Sequence, residues 1–338
     1  MIREKVKSLW RLCFDDTEEF IDMYFRLRYN NDVNIAIQSG EDVIAALQML
    51  PYPMTFCGKE INTVYISGAC THPDYRNRGV MRELFSQAFT RMLHNHIAIS
   101  TLIPAEPWLF DYYARNGYAA VFGYNTYLFK AASSLPQGTL ILKVIDEYKK
   151  EVYAYMNRKL RERDFCIQHT EADFQVILSD LRLSGGHLFT LNQENTIVAL
   201  AVAYPDDKGK WYIGELLSDN VEWSSLLLQR ICEEIKVLTL EVLTPPAEGQ
   251  TYQLQGMARI INAKAVLDLY AAIHPELELN ISLTDEQINA NNGYYYLNNG
   301  KCMNSAKRLP GSHLALTIGE LTEKVFAASR PYMSLMLN

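Results

Sequence analysis

The sequence predicts a mixed α/β (α+β) protein built from more than one domain. Three observations carry that prediction. Runs rich in β-branched residues alternate with amphipathic helical segments along the chain. At 338 residues the chain exceeds what a single core usually organises. The stretch Val64 to Met92 reads as a strand, a tight basic loop and a helix, and the other elements are arranged around it.

Two helices open the chain. The first spans Ile2 to Phe14. Asp15, Asp16 and Thr17 are cap candidates for the second, Glu18 to Tyr29, with Glu18 and Glu19 suited to its first turn. Strands follow over Val33 to Gln38 and Asp42 to Leu50, with Gly40 and Glu41 turning between them. Tyr52 to Phe56 reads as a link, and Lys59-Glu60 as a turn into the strand Val64 to Thr71. Pro73 stops that strand, because proline cannot donate to a sheet ladder. After the loop Asp74 to Gly79, Val80, Met81, Leu84, Phe85, Ala88, Phe89 and Met92 recur at helical spacing. Ile97 to Ile103 is an unbroken apolar strand. Pro107 and Gly117 bracket a short helix, and Tyr118 to Phe129 closes the first region.

The small, polar segment Ala131 to Gly138 marks a boundary. Beyond it come a charged helical stretch, Ile141 to Arg163, and strands at Leu188 to Leu191, Ile197 to Tyr204 and Trp211 to Ser218. A helix, Glu222 to Ile235, and a strand, Val237 to Leu243, complete this part. Its order of elements repeats that of the first region. Pro245-Pro246 opens a third part, with strands at Met257 to Ile261, Leu277 to Leu283, Tyr294 to Leu297 and Leu314 to Ile318. Its helices are Ala263 to Ile273 and Glu320 to Ala328. The expected domains are therefore residues 1–130, 139–246 and 250–338.

The net charge of −7 argues against a nucleic-acid partner, which needs a basic face. The six cysteines show no CxxC spacing and read as reduced thiols with no metal site. No run approaches a membrane span, and the opening MIREKVKSLW does not read as a signal peptide, so the expected location is cytoplasmic.

The loop has a chemical use. The first N–H groups of a helix lack internal partners and sit at the positive end of its dipole. Gly79 lets the main chain approach a ligand closely, and Arg76 and Arg78 add full charges, so Asn77 to Arg82 forms a cradle suited to a diphosphate. The run Thr71-His72-Pro73-Asp74-Tyr75-Arg76-Asn77-Arg78-Gly79-Val80-Met81 resembles the coenzyme A loop of the GCN5-related N-acetyltransferases, the GNAT superfamily. It departs from that pattern at Met81, where Gly or Ala is usual. Tyr112-Tyr113-Ala114-Arg115-Asn116-Gly117-Tyr118 resembles a second motif of the superfamily. The variant Arg76 to Arg82 is similar to the enhanced-intracellular-survival (Eis) type, with tandem GNAT halves and a sterol-carrier-like C-terminal domain.

The resemblance implies acetyl-CoA as co-substrate and direct transfer of an acetyl group to the amine of a small molecule or peptide. Main-chain groups of Ala69, Cys70 and Thr71 would pair with the pantetheine, and Arg76, Asn77, Arg78, Gly79, Val80, Met81 and Arg82 would hold the diphosphate. Tyr113 would be the general acid, since a phenol is protonated at neutral pH. The apolar tail Pro331 to Asn338 is expected to dock, with the terminal carboxylate of Asn338 as base; Glu83, Glu106, Asp111 and His72 are alternatives. The second half, whose Ser218 to Glu222 corner lacks glycine and arginine, would bind no coenzyme A. Homo-oligomers are common in the branch. A different class of function, a non-catalytic acyl-CoA or lipid binder, stays open at this stage.

Overall fold

The computed structural model describes residues 2–132 and 140–337. In chain order the elements are α1 (Ile2–Cys13), α2 (Glu18–Leu27), β1 (Asn34–Ser39), β2 (Asp42–Phe56), β3 (Lys59–Thr71), α3 (Val80–His94), β4 (Ile99–Leu102), α4 (Pro107–Ala114) and β5 (Ala119–Lys130). Then come β6 (Leu140–Ile145), α5 (Lys150–Arg161), β7 (Cys166–Ile167), α6 (Glu171–Ser184), β8 (His187–Gln193), β9 (Thr196–Pro205), β10 (Trp211–Ser218), α7 (Val221–Glu234) and β11 (Thr239–Thr244). The last group is β12 (Gln253–Ile260), α8 (Ala263–Ile273), β13 (Leu279–Thr284), β14 (Gly293–Asn298), β15 (Lys301–Ser305), β16 (Leu314–Thr317) and α9 (Ile318–Phe326). The fold is mixed α/β, as the alternation of patterns predicts. Most of the expected boundary segment, Ala131 to Gly138, lies outside the described residues.

Internal contacts divide the chain into two compact units. Unit 1 holds everything up to Phe122 together with Leu254–Arg330; unit 2 holds Gly123–Gln253 and Pro331–Leu337. The stretch expected as a third domain thus clusters with the first. The reason is a ladder: β12 runs antiparallel to β4, with Met257, Ala258, Arg259 and Ile260 opposite Leu102, Thr101, Ser100 and Ile99. The resulting order in unit 1 is β1-β2-β3-β4-β12.

In unit 1, the apolar stripe of α3 (Leu84, Phe85, Ala88, Phe89 and Met92) packs on Leu47, Met49, Val64, Ile66, Leu102 and Met257. Each large side chain so buried contributes about 1.5–3 kcal/mol before entropy is counted. Arg259, buried on β12, donates to the Asn116 carbonyl at 2.9 Å and to Asp285 at 2.6 Å, and lies 4.2 Å over the Phe89 ring. Burial pulls this guanidinium below its ordinary range, and Asp285 opposes the shift. The pair pins the end of α4. The rest of unit 1 adds a small sheet, β15-β14-β13-β16.

The expected link Tyr52 to Phe56 is instead the second half of β2, paired with Asn62 to Lys59 on β3. Pro51 and Pro53 lie inside this ladder, opposite Val64 and Asn62. The turn lies at Cys57-Gly58, both left-handed, rather than at Lys59-Glu60.

Unit 2 carries β11-β10-β9-β8-β6, with the later residues of β5 paired to β11. The expected helix over Ile141 to Arg163 is two elements, β6 and then α5. β6 pairs antiparallel with β8, and its β-branched residues suit a ladder better than a helix. Helix α6 escaped the sequence reading, although Thr170 and Asp173 form a reciprocal capping box at its start. The tail packs within unit 2: the Tyr332 N–H donates to the Phe165 carbonyl at 3.0 Å, and the Ile167 N–H donates to that of Tyr332 at 3.1 Å. Ser334 donates through its hydroxyl to buried Glu215, which also accepts a bidentate pair from Arg163. Asn338 lies outside the described residues.

Candidate functional site

β3 and β4 run parallel but pair only over Thr63–Ile99, Val64–Ser100 and Tyr65–Thr101. Beyond Tyr65 the two strands part, and the remaining residues of β3 have no ladder partner on that side. On its other side β3 carries a bulge. Cys70 faces Ala46 and Ser67 faces Gln48, so Gly68 and Ala69 together oppose Leu47. Gly68 is required there twice over. Its φ is 59°, and a Cβ would lie 2.1 Å from the Trp10 ring.

The loop after β3 is built from local signals. Pro73–Tyr75 makes one turn of 3-10 helix, and Arg76 Nε donates back to the Thr71 carbonyl at 3.2 Å. Asn77 and Gly79 have φ of 60° and 78°, the alternation that collects main-chain N–H groups on one side. Gly79 occupies the N-cap of α3 without a side-chain cap, so the first turn of this 15-residue helix presents uncapped donors.

A cavity of about 620 Å3 in unit 1 joins these parts. Ala69, Cys70, Thr71, Arg76, Asn77, Gly79, Val80, Met81, Arg82 and Tyr113 all line it, which brings together all but two of the expected site residues. Arg78 is outside the lining; its guanidinium rests 5.5 Å from the Tyr75 ring centroid. Asn338, the other, lies outside the described residues. His72, one alternative base, spends its ring on the 3-10 turn, where Nδ1 accepts from the Asp74 N–H. Glu83, Glu106 and Asp111 do not line the cavity. Among the described lining residues Arg76, Arg82 and Arg115 supply positive charge and none carries a carboxylate.

Tyr113 is buried on α4, edge-on to Phe85 at 5.9 Å. Burial, then neighbouring Tyr112, pushes its phenol up to about 12. Its hydroxyl has no hydrogen-bond partner among the described residues. The buried Oγ1 of Thr71 also lacks one. A buried polar group left unsatisfied is costly, so the Thr71 hydroxyl suits a wall that waits for a ligand.

Sequence reasoning missed one wall. Cys13 and Phe14 reach the cavity from the end of α1, and Trp108, Tyr112 and Arg115 face it from α4. The second group was readable: spacings of four and three put these residues on one helical face. Cys13 comes from an element distant in sequence, and no local pattern announces it.

Comparison with known proteins agrees with this geometry. Residues 3–121 match the acetyltransferase (GNAT) domain. No curated protein matches the sequence. Similar solved structures include a GCN5-related N-acetyltransferase from Anabaena variabilis, with 15% identity, a TM-score of 0.76 and coverage of 98% of this chain and 96% of that one. A probable N-acyltransferase from Enterococcus faecalis has 14% identity, a TM-score of 0.77 and coverage of 95% and 86%. Eis1 from Mycobacterium abscessus has 12% identity, a TM-score of 0.73 and coverage of 96% and 87%. At such identities the likeness is one of fold. The strand–loop–helix corner and Tyr113 lie within the GNAT match. Among the described residues no group of His, Cys, Asp or Glu side chains is arranged to hold a metal, and no helix is long and apolar enough to cross a membrane.

Proposed function

We propose that unit 1 transfers an acetyl group from acetyl-CoA to a primary amine, on a small molecule or a peptide, by direct attack. The observation that carries this reading is the single cavity in which the uncapped start of α3, the open edge of β3 and an unbonded, protonated phenol meet. The diphosphate would rest on Asn77 to Arg82, with the Arg76 guanidinium beside it. The pantetheine would add to the free edge of β3 as an extra strand does, taking main-chain partners at Ala69 to Thr71. Met81, larger than the family's usual Gly or Ala, lines the same cavity, so the cradle is met through main-chain groups rather than through a bare Cα.

In the reaction the amine nitrogen bonds to the thioester carbon, and the carbon–sulfur bond breaks as the tetrahedral intermediate collapses. A main-chain N–H near the bulge would hold the oxyanion. Tyr113 would deliver its proton to the departing thiolate. The attacking ammonium must first lose a proton, and the terminal carboxylate of Asn338 would be the base, acting directly or through water. The same reading takes residues 139–246 as a second GNAT-like half without coenzyme A, the last part as sterol-carrier-like, and the layout as that of the Eis-type branch, which is open to homo-oligomerisation. A cytoplasmic enzyme is the matching location.

The test is an acetylation screen over an amine library with detection of free coenzyme A thiol, joined to calorimetric titration of coenzyme A. Tyr113→Phe should lower kcat by about 10²- to 10⁴-fold, the usual worth of a placed acid, with little change in coenzyme A affinity. Extension of the chain past Asn338 should also lower turnover. Tight coenzyme A binding with no acetylated product over the whole library would replace this reading with that of a non-catalytic acyl-CoA binder.

A further inference from the structure

The mechanism above makes no use of two thiols in the cavity wall. Cys13, at the end of α1, is half-buried; Cys70, on the bulged stretch of β3, is buried; both line the cavity. Cys13 Sγ donates to the Thr71 carbonyl at 3.6 Å, the same oxygen that Arg76 Nε contacts at 3.2 Å. The thiol therefore sits next to Cys70 in the chain's path and close to a guanidinium. The neighbouring Cys70 thiol brings Cys13 down to about 7, with Arg76 helping and partial burial opposing. Cys70 is pushed well above its ordinary range by Cys13 and by burial. Burial pushes Cys166, Cys232 and Cys302 up as well, to about 12, 11 and 11. One thiol of the pair is thus poised to act as a thiolate and the other as its buried, protonated neighbour, while the cavity gives a small oxidant access.

We propose that Cys13 and Cys70 form a peroxide-oxidisable pair that closes to a disulfide in the wall of the cavity. The Cys13 sulfur attacks a peroxide oxygen; the S–O bond forms as the O–O bond breaks, and the departing hydroxide leaves as water. The Cys70 sulfur then attacks the sulfenic sulfur; the S–S bond forms, the S–O bond breaks, and the Cys70 proton leaves with the oxygen as a second water. Two thiols lose two electrons and two hydrogens, and the peroxide gains them. The bond would tie α1 to the bulge of β3 and draw on the main chain of Ala69 to Thr71. Its effect on coenzyme A rests on the acetyltransferase reading; its formation does not.

The experiment treats the full-length protein with hydrogen peroxide and maps disulfides by peptide mass spectrometry before and after dithiothreitol. Coenzyme A is titrated into the reduced and oxidised samples. The expected result is a dithiothreitol-sensitive Cys13–Cys70 peptide, with Cys57, Cys166, Cys232 and Cys302 still alkylatable after unfolding. Cys13→Ser should abolish the bond, and Cys70→Ser should leave a dimedone-reactive sulfenic acid on Cys13. Coenzyme A affinity should fall at least about tenfold on oxidation, as a close-fitting groove loses its set. Peroxide that leaves Cys13 reduced, or that joins either thiol to a different cysteine, overturns the pair. A mapped bond with unchanged coenzyme A affinity overturns its effect on the cavity. If the reduced protein takes up no coenzyme A, the acetyl-CoA reading falls, and the disulfide map alone decides the pair.

Discussion

The two units each turn a corner from strand to helix, and the corners are finished in opposite ways. In unit 1 the turn from β3 into α3 passes through left-handed Asn77 and Gly79, and no side chain caps the helix. In unit 2 the turn from β10 into α7 is closed by its own side chains. Asn220 accepts from the Trp223 N–H at 2.8 Å, the Ser218 and Ser224 hydroxyls meet at 2.5 Å, and the Asp219 N–H donates to the Val198 carbonyl. Asp219 in turn faces Arg158 at 3.1 Å and Lys159 at 3.7 Å. One corner keeps its main-chain donors and positive charge available. The other caps the Trp223 N–H with its own side chain and carries a carboxylate at the turn. The lesson is that a helix start becomes an anion site through what is left out of it, and that a side-chain cap and a ligand compete for the same N–H groups.

The comparison breaks most sharply if the open corner is spoiled. Gly79→Val forces a β-branched residue to a φ of 78°, a strain of about 1–3 kcal/mol that the loop relieves by reshaping. Coenzyme A affinity should fall about tenfold to a hundredfold in a calorimetric titration, while the circular dichroism spectrum stays that of the parent. Arg76→Ala removes one guanidinium and its bond to the Thr71 carbonyl. A loss of about tenfold in affinity is expected, shrinking as salt is raised. Asn220→Ala should leave coenzyme A binding untouched and cost about 1 kcal/mol of stability in a denaturant melt, as the loss of an N-cap does. A gain of coenzyme A binding at the second corner in that variant would mean that the cap alone kept ligand out. The smallest effect concerns pH. A phenol held near 12 keeps its proton through the working range, so Tyr113 should contribute no falling limb to kcat between about pH 7 and about pH 10. Such a limb, if it vanishes in Tyr113→Phe, would mean a phenol far less buried than this one.

How much of this was legible follows from where the information lies. Gly79, Pro73 and the arginines are local signals, and so are Pro107 and Gly117 around Tyr113, so the loop and Tyr113 could be read from short windows. The bulge could not. Gly68 gives no sign that Trp10, far back in the chain, fills the place of its Cβ. Arg259 sits in the apolar run Met257 to Ile261 and reads as an interruption until Asp285 and Asn116 are seen around it. The link expected over Tyr52 to Phe56 is a strand, because its partner Thr63 to Lys59 lies just across the turn at Cys57-Gly58. Helix α6 was readable from Thr170 and Asp173 and was simply overlooked.

The pairing of β12 with β4 has a consequence for how the protein comes off the ribosome. When residue 121 has emerged, the span of the GNAT match is written in full, yet β4 still waits for Met257 to Ile260 and the end of α4 for Arg259. The nascent sheet must stand with an uncovered edge while all of unit 2 is made, which invites premature pairing and slow, non-local closure. A gene fragment cut to the span of the GNAT match would hence yield an insoluble or molten product rather than a minimal enzyme.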